Sequence, residues 1–501
     1  MTRNWALWGG AVLVLSMTGA VAQDVQTKQY EDGGVYEGEF LNGKQHGTGM
    51  YRLPNGYEYN GDWVEGRIQG NGVAHFPNGS VYEGEFAEGK PSGTGKITFA
   101  DGGVYEGDWV DGNITGSGIA TYANGVIYEG EFRNAMHHGT GTMRSPNGYS
   151  YAGQWVNGVK EGSGTITYPD GTIYEGQLAR DDREGDGKLL MQDGTIYEGK
   201  WVAGQIEGIG RLVQPNGDIY EGDLVAGHRE GTGTVTYANG DIYQGGFHDD
   251  RRHGQGTFRG TDGYVYVGGW EGGAMSGQGK VLYPDGSVYE GQFANDLPNG
   301  EGKITYPDSS TYVGSWVDGV IEGSGIATYA SGLVYEGEFK NAKNHGRGVM
   351  RYGDGYSYDG EWANGQRHGI GTATYADGSV YFGHFENGQR HGQGKITIPD
   401  NPSTEADESF TYEGEWQNGE ISGQGVATYS NGDIYQGTFV AGRRQGDGTM
   451  RYASGQIESG NWDQDLYVTR DDAAPAGDVA TGAPEAPAEA TPDAAPEAPA
   501  N

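Results

Sequence analysis

The chain has 501 residues, 97 of them glycine, with 35% hydrophobic residues and a formal net charge of −37. This composition is unlike that of several compact globular domains, while 35 Tyr, 11 Trp and 13 Phe exclude a chain that is disordered throughout. The acidic balance disfavours nucleic acid and anionic lipid as partners, and the absence of cysteine excludes disulfides.

The N-terminal segment has the three-part plan of a secretory signal peptide. Arg3 precedes an apolar run from Trp5 to Leu15, and small residues follow up to Ala22. This run is shorter than the roughly 20 residues that span a bilayer, so cleavage after Ala22 is expected rather than anchoring. We therefore predict a signal peptide over 1–22 and an exported, periplasmic or extracellular protein without a transmembrane segment.

A 23-residue repeat occupies the predicted array, 23–466. A Tyr-x-Gly-x-aromatic pattern recurs from Tyr36 to Tyr381 without a slip, and it resumes at Tyr412 after an eight-residue insertion near 401–408. Counted from the leading Tyr, position +2 is Gly in all nineteen repeats, and positions +11 and +13 are Gly in the eighteen complete ones. Position +4 is Phe, Trp or Leu. A period of this length marks an array of stacked structural units.

Alternation within each repeat predicts a β-hairpin. Positions 0, +2 and +4 share one side of a strand and Glu at +1 and +3 shares the other, while Asn-Gly or Asp-Gly turns separate the strands. Glycines inside strands are unfavourable unless a ring lies across the bare backbone, which we predict here. One face of a representative repeat should then carry Tyr82, Gly84, Phe86, Gly93, Gly95, Ile97 and Phe99.

The segment Tyr-Glu-Gly-Glu-Phe-Leu-Asn-Gly-Lys-Gln-His-Gly-Thr-Gly at 36–49 resembles the MORN repeat, the membrane occupation and recognition nexus motif. The resemblance extends to about residue 462. It implies an all-β fold, an elongated, twisted, single-layer antiparallel sheet of tandem hairpins. Nineteen repeats give about 37 strands, and the polar second face argues against a closed barrel or propeller. The family does not imply one function.

Candidate chemistry in the sequence is sparse, so we predict no enzyme and no catalytic, cofactor or metal site. Histidine recurs at +10, as in His368 and His391, but equivalent residues one hairpin apart are separated by about 9.6 Å, too far to share a zinc ion. Paired carboxylates such as Glu37 and Glu39 recur in many repeats, whereas an enzyme needs one distinct pocket.

These observations predict a cell-envelope or secreted scaffold that binds a protein partner or itself. The aromatic face is the candidate interaction surface, with Trp316, Tyr335, Phe339, Tyr358, Trp362, Tyr381, Phe385 and Trp416 as its residues. The alternative is a glycan or cell-wall-binding module that stacks sugars on the rings, and a weaker one is a membrane-associated lipid-binding array. The acidic, Pro/Ala-rich tail, 467–501, is predicted to be disordered.

Overall fold

The computed structural model describes residues 25–401 and 407–468. The predicted signal peptide, most of the insertion near 401–408 and nearly all of the acidic tail lie outside these described residues. Strands and turns make up the described part of the chain, where no helix is long and apolar enough to cross a membrane. The all-β prediction is confirmed.

The strands fall into two compact units, and the division lies within β18, Ile219–Val225. The N-terminal unit contains β1 Gln26–Gln29, β2 Val35–Leu41, β3 Lys44–Arg52, β4 Glu58–Val64, β5 Arg67–His75, β6 Val81–Ala87, β7 Lys90–Thr98, β8 Val104–Val110, β9 Asn113–Thr121, β10 Ile127–Arg133, β11 Met136–Arg144, β12 Ser150–Val156, β13 Val159–Thr167, β14 Ile173–Ala179, β15 Asp182–Leu190, β16 Ile196–Val202 and β17 Gln205–Val213. The C-terminal unit contains β19 His228–Thr236, β20 Ile242–His248, β21 Arg251–Arg259, β22 Val265–Glu271, β23 Ala274–Leu282, β24 Val288–Ala294, β25 Leu297–Thr305, β26 Thr311–Val317, β27 Val320–Thr328, β28 Val334–Lys340, β29 Lys343–Arg351, β30 Ser357–Ala363, β31 Gln366–Thr374, β32 Val380–Glu386, β33 Gln389–Ile398, β34 Phe410–Gln417, β35 Glu420–Tyr429, β36 Ile434–Val440, β37 Arg443–Arg451, β38 Ile457–Asp463 and β39 Leu466–Val468.

Strands within each unit pair antiparallel with their neighbours in the chain. For example, β6 pairs with β5 and β7, and β32 pairs with β31 and β33. Each unit is therefore an open antiparallel sheet of tandem hairpins, as predicted. Two short strands were not predicted, because neither carries the Tyr-x-Gly motif: β1 pairs with β2, and β39 pairs with β38.

A β-bulge recurs in the hairpins of the repeats, as in the Tyr82 and Tyr381 repeats, and changes one predicted orientation. In the Tyr82 repeat Gly84 lies opposite Gly95, but the register shifts before Phe86. Gly93 has a φ of +82°, and a Cβ there would lie 2.7 Å from a carboxylate oxygen of Glu85. The prediction that Gly93 faces the rings was therefore wrong, because the left-handed backbone of Gly93 at the bulge turns this one position toward Glu85, while Pro91 and Gly95 stay on the side of the rings.

The core of each repeat is a ring packed on glycine. The Tyr82 side chain is fully buried, and its hydroxyl donates to the Glu85 carbonyl oxygen at 2.9 Å. A Cβ on Gly95 would lie 2.1 Å from the Tyr82 oxygen, so only glycine leaves room for the ring. Tyr82 also meets the rings of Phe86 and Trp109 edge to face, both at 5.0 Å. The prediction that glycine makes room for rings is confirmed.

Candidate interaction surface

The eight residues predicted to form the interaction surface lie together in the core of the C-terminal unit. Rings of successive repeats touch edge to face, with centroids 4.9 Å apart for Tyr358 and Phe385 and 5.1 Å apart for Tyr381 and Trp416. All eight side chains are buried, and the most exposed, Trp362, has 4% of its surface exposed. The structure thus brings them together, but a partner of this face would first contact the side chains above them.

Residues at +9 lie above the rings, and the sequence pattern did not reveal this cover. The Arg390 guanidinium is 4.4 Å from the Trp416 ring centroid, and Arg390 is itself only 5% exposed. Arg252 lies 4.1 Å above Trp270 and donates from Nη2 to a backbone oxygen at 2.7 Å. These cation–π contacts stabilise the ring ladder, and they close the face that the sequence predicted to be open.

The opposite face, which we call the glutamate face, carries the residues at +1, +3 and +14. Residues at +1 and +14 lie directly across from one another in each strand pair. In the C-terminal unit Glu290 lies opposite Lys303, Lys303 opposite Val313, and Val313 opposite Ile326. Each unit thus has a continuous line of side chains perpendicular to its strands, and we call this line the transverse row.

In the N-terminal unit the transverse row mostly alternates acids with bases or threonine. Glu83 lies opposite Lys96, which lies opposite Glu106, and further along the row the Lys188 ammonium is 2.8 Å from a Glu198 carboxylate oxygen. Both side chains of this ion pair are about half exposed, so the pair contributes little to stability. This composition matches the polar face predicted from the sequence.

The transverse row of the C-terminal unit differs in how many exposed apolar side chains interrupt it, whereas in the N-terminal row the large exposed apolar side chain among the described residues is Ile119. Exposed fractions are 50% for Val267, 48% for Val313, 42% for Ile326 and 58% for Phe382. An open cavity of about 580 Å³ runs along this row, bordered by Val267, Val313 and the charged residues Lys280, Glu290, Lys303 and Glu301. The sequence prediction missed this feature, since it described each column by its commonest residue.

A cluster of titratable groups lies at one turn of the C-terminal unit. The cluster consists of His228, Asp249 and Asp250. Each residue offers one potential metal-ligand atom, and in the described part of the chain these three atoms lie within 4.8 Å of one another. A hydrogen bond of 2.5 Å to Asp250 raises the pKa of His228. Asp250 also accepts from the Arg229 backbone N–H at 2.9 Å and from its guanidinium at 3.3 Å. The Asp250 carboxylate is therefore already engaged by a cation.

Comparison with known proteins agrees with the repeat structure. The MORN repeat family matches seventeen segments: 36–56, 59–81, 82–104, 105–127, 128–148, 151–173, 197–219, 220–242, 243–263, 266–288, 289–311, 312–334, 335–355, 358–380, 381–402, 412–434 and 435–457. Residues 174–196 lie outside these matches, yet β14 and β15 pair there as in the other hairpins. None of the curated proteins compared matches the chain.

Three solved structures are similar over part of the chain. The SAS-4 TCP domain of Drosophila melanogaster, solved with a proline-rich motif of Ana2, is 17% identical, covers 36% of this chain and 90% of its own, and has a TM-score of 0.21. The TCP10 domain of Danio rerio CPAP is 17% identical, with coverages of 44% and 93% and a TM-score of 0.17. Virginiamycin B lyase from Staphylococcus aureus is 9% identical, with coverages of 62% and 93% and a TM-score of 0.11. With more than half of its residues inside matched repeats, the chain belongs to the MORN repeat family.

Proposed function

We propose that this protein is a non-enzymatic, exported scaffold that binds a protein partner across the transverse row of its C-terminal unit. The observation that carries the proposal is the set of half-exposed apolar side chains in that row, above all Val313, Ile326 and Phe382. Apolar residues on a strand face normally pack against a second layer. Val313 and Ile326 lie directly opposite one another in the register, and contiguous exposed apolar side chains are typical of a protein interaction site.

The form of the surface favours a protein over a small substrate. Val313 and Ile326 face each other across two strands, and Lys303 and Glu336 flank them in the same row. Such an apolar centre with a charged rim is the usual anatomy of a protein interface. A small-molecule site is instead a concave pocket that encloses its ligand.

The other candidate partners lack a matching feature on this surface. Sugar stacking needs a series of accessible ring faces, whereas the ladder rings such as Tyr358 and Trp416 are at most 3% exposed, and Phe382 is the single exposed ring among the described residues of the C-terminal transverse row. Anionic lipid head groups would be repelled by a chain with a net charge of −37. Carboxylate pairs recur in many repeats, which favours a solvated face over a catalytic site.

A pull-down with paired variants tests the proposal. The double variant V313E/F382E replaces two exposed apolar residues of the row by charges. The control I119E/A152E places the same two charges in the transverse row of the N-terminal unit, where Ile119 is 46% exposed. Extracts of producing cells that contain no tagged protein supply the partner. We expect the wild type and I119E/A152E to recover the same protein and V313E/F382E to lose most of it.

The second copy of the chain is the other occupant that this experiment distinguishes. Light scattering on the purified variants reports self-association directly: a dimer lost only in V313E/F382E identifies the partner as the protein itself. Undiminished recovery by V313E/F382E, or equal losses in both variants, would contradict the proposed surface.

Export has its own measurement. Cleavage after Ala22 predicts that the protein isolated from the cell envelope or medium begins at Gln23. Mass spectrometry of the intact protein from each cell fraction checks this. Recovery of the chain in the cytoplasm with Met1 or Thr2 as its first residue would contradict export.

A further inference from the structure

The Tyr381 repeat departs from its neighbours on the glutamate face. At +3 the adjacent repeats carry the carboxylates Glu361 and Glu415. In the Tyr335 repeat the carboxylate at this position, Glu338, accepts the backbone N–H of Arg347 at 3.1 Å across the bulge. The Tyr381 repeat has His384 there instead. Its Cβ lies 3.4 Å from the position that a Cβ on Gly392 would occupy, so the imidazole replaces the usual carboxylate beside the bulge.

Two more histidines lie on the strands next to His384. His368 is on β31 and His391 is on β33, while His384 is on β32 between them. On β31, the residue directly opposite His384 is Ile370. His368 lies two residues before Ile370 and therefore on the same side of this strand. Because adjacent strands are about 4.8 Å apart, His384 halves the 9.6 Å gap between the +10 histidines.

These three imidazoles line one cavity. It has a volume of about 350 Å³, and Glu386 borders it as well. The His391 Nε2 atom is 3.3 Å from a Glu386 carboxylate oxygen. Three imidazoles and one carboxylate are a donor set that suits zinc and related divalent ions of the first transition row.

We propose that His368, His384 and His391 form a binding site for Zn²⁺ or a similar imidazole-preferring divalent cation, with Glu386 as the fourth ligand. The nitrogen atoms do not yet converge within 4.8 Å, a spacing that only the His228 cluster reaches in the described residues. Binding therefore needs rotation of the His368 and His384 rings. Both residues are exposed, so their rings have room to turn. This proposal is independent of the protein partner.

Other repeats supply substitutions that the fold already accepts. Glutamine occupies +10 in Gln69, where its side-chain oxygen accepts a backbone N–H at 3.3 Å, and it occupies +3 in Gln154. H384Q and H391Q thus remove imidazoles without introducing a residue foreign to those columns. H46Q makes the same change at +10 of the Tyr36 repeat, where position +3 is Glu39, and serves as the control.

The experiment titrates the untagged mature protein with Co²⁺, followed by absorption spectroscopy, and then with Zn²⁺ in competition. We expect one equivalent of Co²⁺ to give the visible bands of a tetrahedral site and Zn²⁺ to abolish them. H384Q and H391Q should each weaken Co²⁺ binding by at least about 10-fold. Mutation of a residue that only hydrogen-bonds to a metal ligand already causes a loss of this size. H46Q should bind like the wild type.

A fourth variant separates the proposed site from the other cluster. H228Q removes the imidazole of the turn cluster, and we expect it to bind Co²⁺ as the wild type does. Absence of tetrahedral bands, a loss confined to H228Q, or equal affinities of H384Q and the wild type would each overturn the proposal. Amide exchange over β31–β33 confirms that the variants remain folded.

Discussion

Replacing Gly95 by alanine tests the physical basis of the fold. The new Cβ would lie 2.1 Å from the Tyr82 oxygen and 2.4 Å from the ring carbon that bears it. Gly95 has no positive φ that would add backbone strain, so the clash with the buried ring is the main effect. The ring must move, and its hydroxyl then loses the bond to the Glu85 carbonyl oxygen.

The magnitude follows from these two losses. Overpacking of a well-packed core costs about 1–3 kcal/mol, and a lost hydrogen bond costs about 0.5–1.5 kcal/mol. We therefore expect Gly95→Ala to lower the free energy of local opening by about 2–4 kcal/mol, which corresponds to roughly 30- to 700-fold faster amide exchange. In a repeat array each repeat contacts only its neighbours, so the effect should stay within β6–β8.

Hydrogen exchange followed by mass spectrometry measures this opening repeat by repeat. Gly89→Ala is the matched control: Gly89 has a φ of +78° with nothing within 4 Å of its Cβ position, and Ala135 occupies the same turn position in another repeat with a φ of 59°. Its expected cost is about 1–2 kcal/mol. In a Tyr82→Ala background, Gly95→Ala should cost almost nothing. Unchanged exchange over β6–β8 in Gly95→Ala would refute the packing argument.

Two further predictions concern the ring ladder. Burial raises the pKa of Tyr105 to about 12, above the value near 10 of an unfolded tyrosine. The fold therefore favours the neutral hydroxyl. This contribution to stability is complete below pH 10 and is lost as the pH rises from 10 to 12. Tyrosinate absorbance and circular dichroism should change together in that range, and ionisation near pH 10 with an intact sheet would argue against it. Arg252→Met removes the cation–π contact with Trp270 and the 2.7 Å hydrogen bond from its guanidinium. It should destabilise β22 by about 1–2 kcal/mol in hydrogen exchange, whereas the exposed neighbour Arg251→Met should have no effect.

The repeat columns predicted most of the fold because each hairpin satisfies the same local rules. Tyr82 and Phe86 share a face and Gly95 leaves room for the ring, as the alternation required. The bulge could not be predicted, since a change of register depends on strand pairing and leaves no gap in the repeat period. Gly93 was therefore placed on the wrong face. The strand β1, Gln26–Gln29, lacks the motif and is ordered by its pairing with β2.

The candidate surface was harder to predict than the fold. Rings such as Trp416 were identified as a group, but alternation within strands does not show that Arg390 from the preceding repeat lies above that ring. The exposed residues of the transverse row are minority members of their columns. Phe382 stands where most repeats have an acid, so a description by the commonest residue hides it.

Photocrosslinking in the producing cell tests the central claim most directly. A photoreactive amino acid is placed at the position of Phe382 in the full-length protein or, as the control, at Ile119 in the transverse row of the N-terminal unit. Both side chains are exposed, at 58% and 46%, so both probes are accessible. We predict a protein adduct, identified by mass spectrometry, from position 382 and a much lower yield from position 119. No protein adduct from position 382, or equal yields from both positions, would contradict the claim that this row is the binding surface.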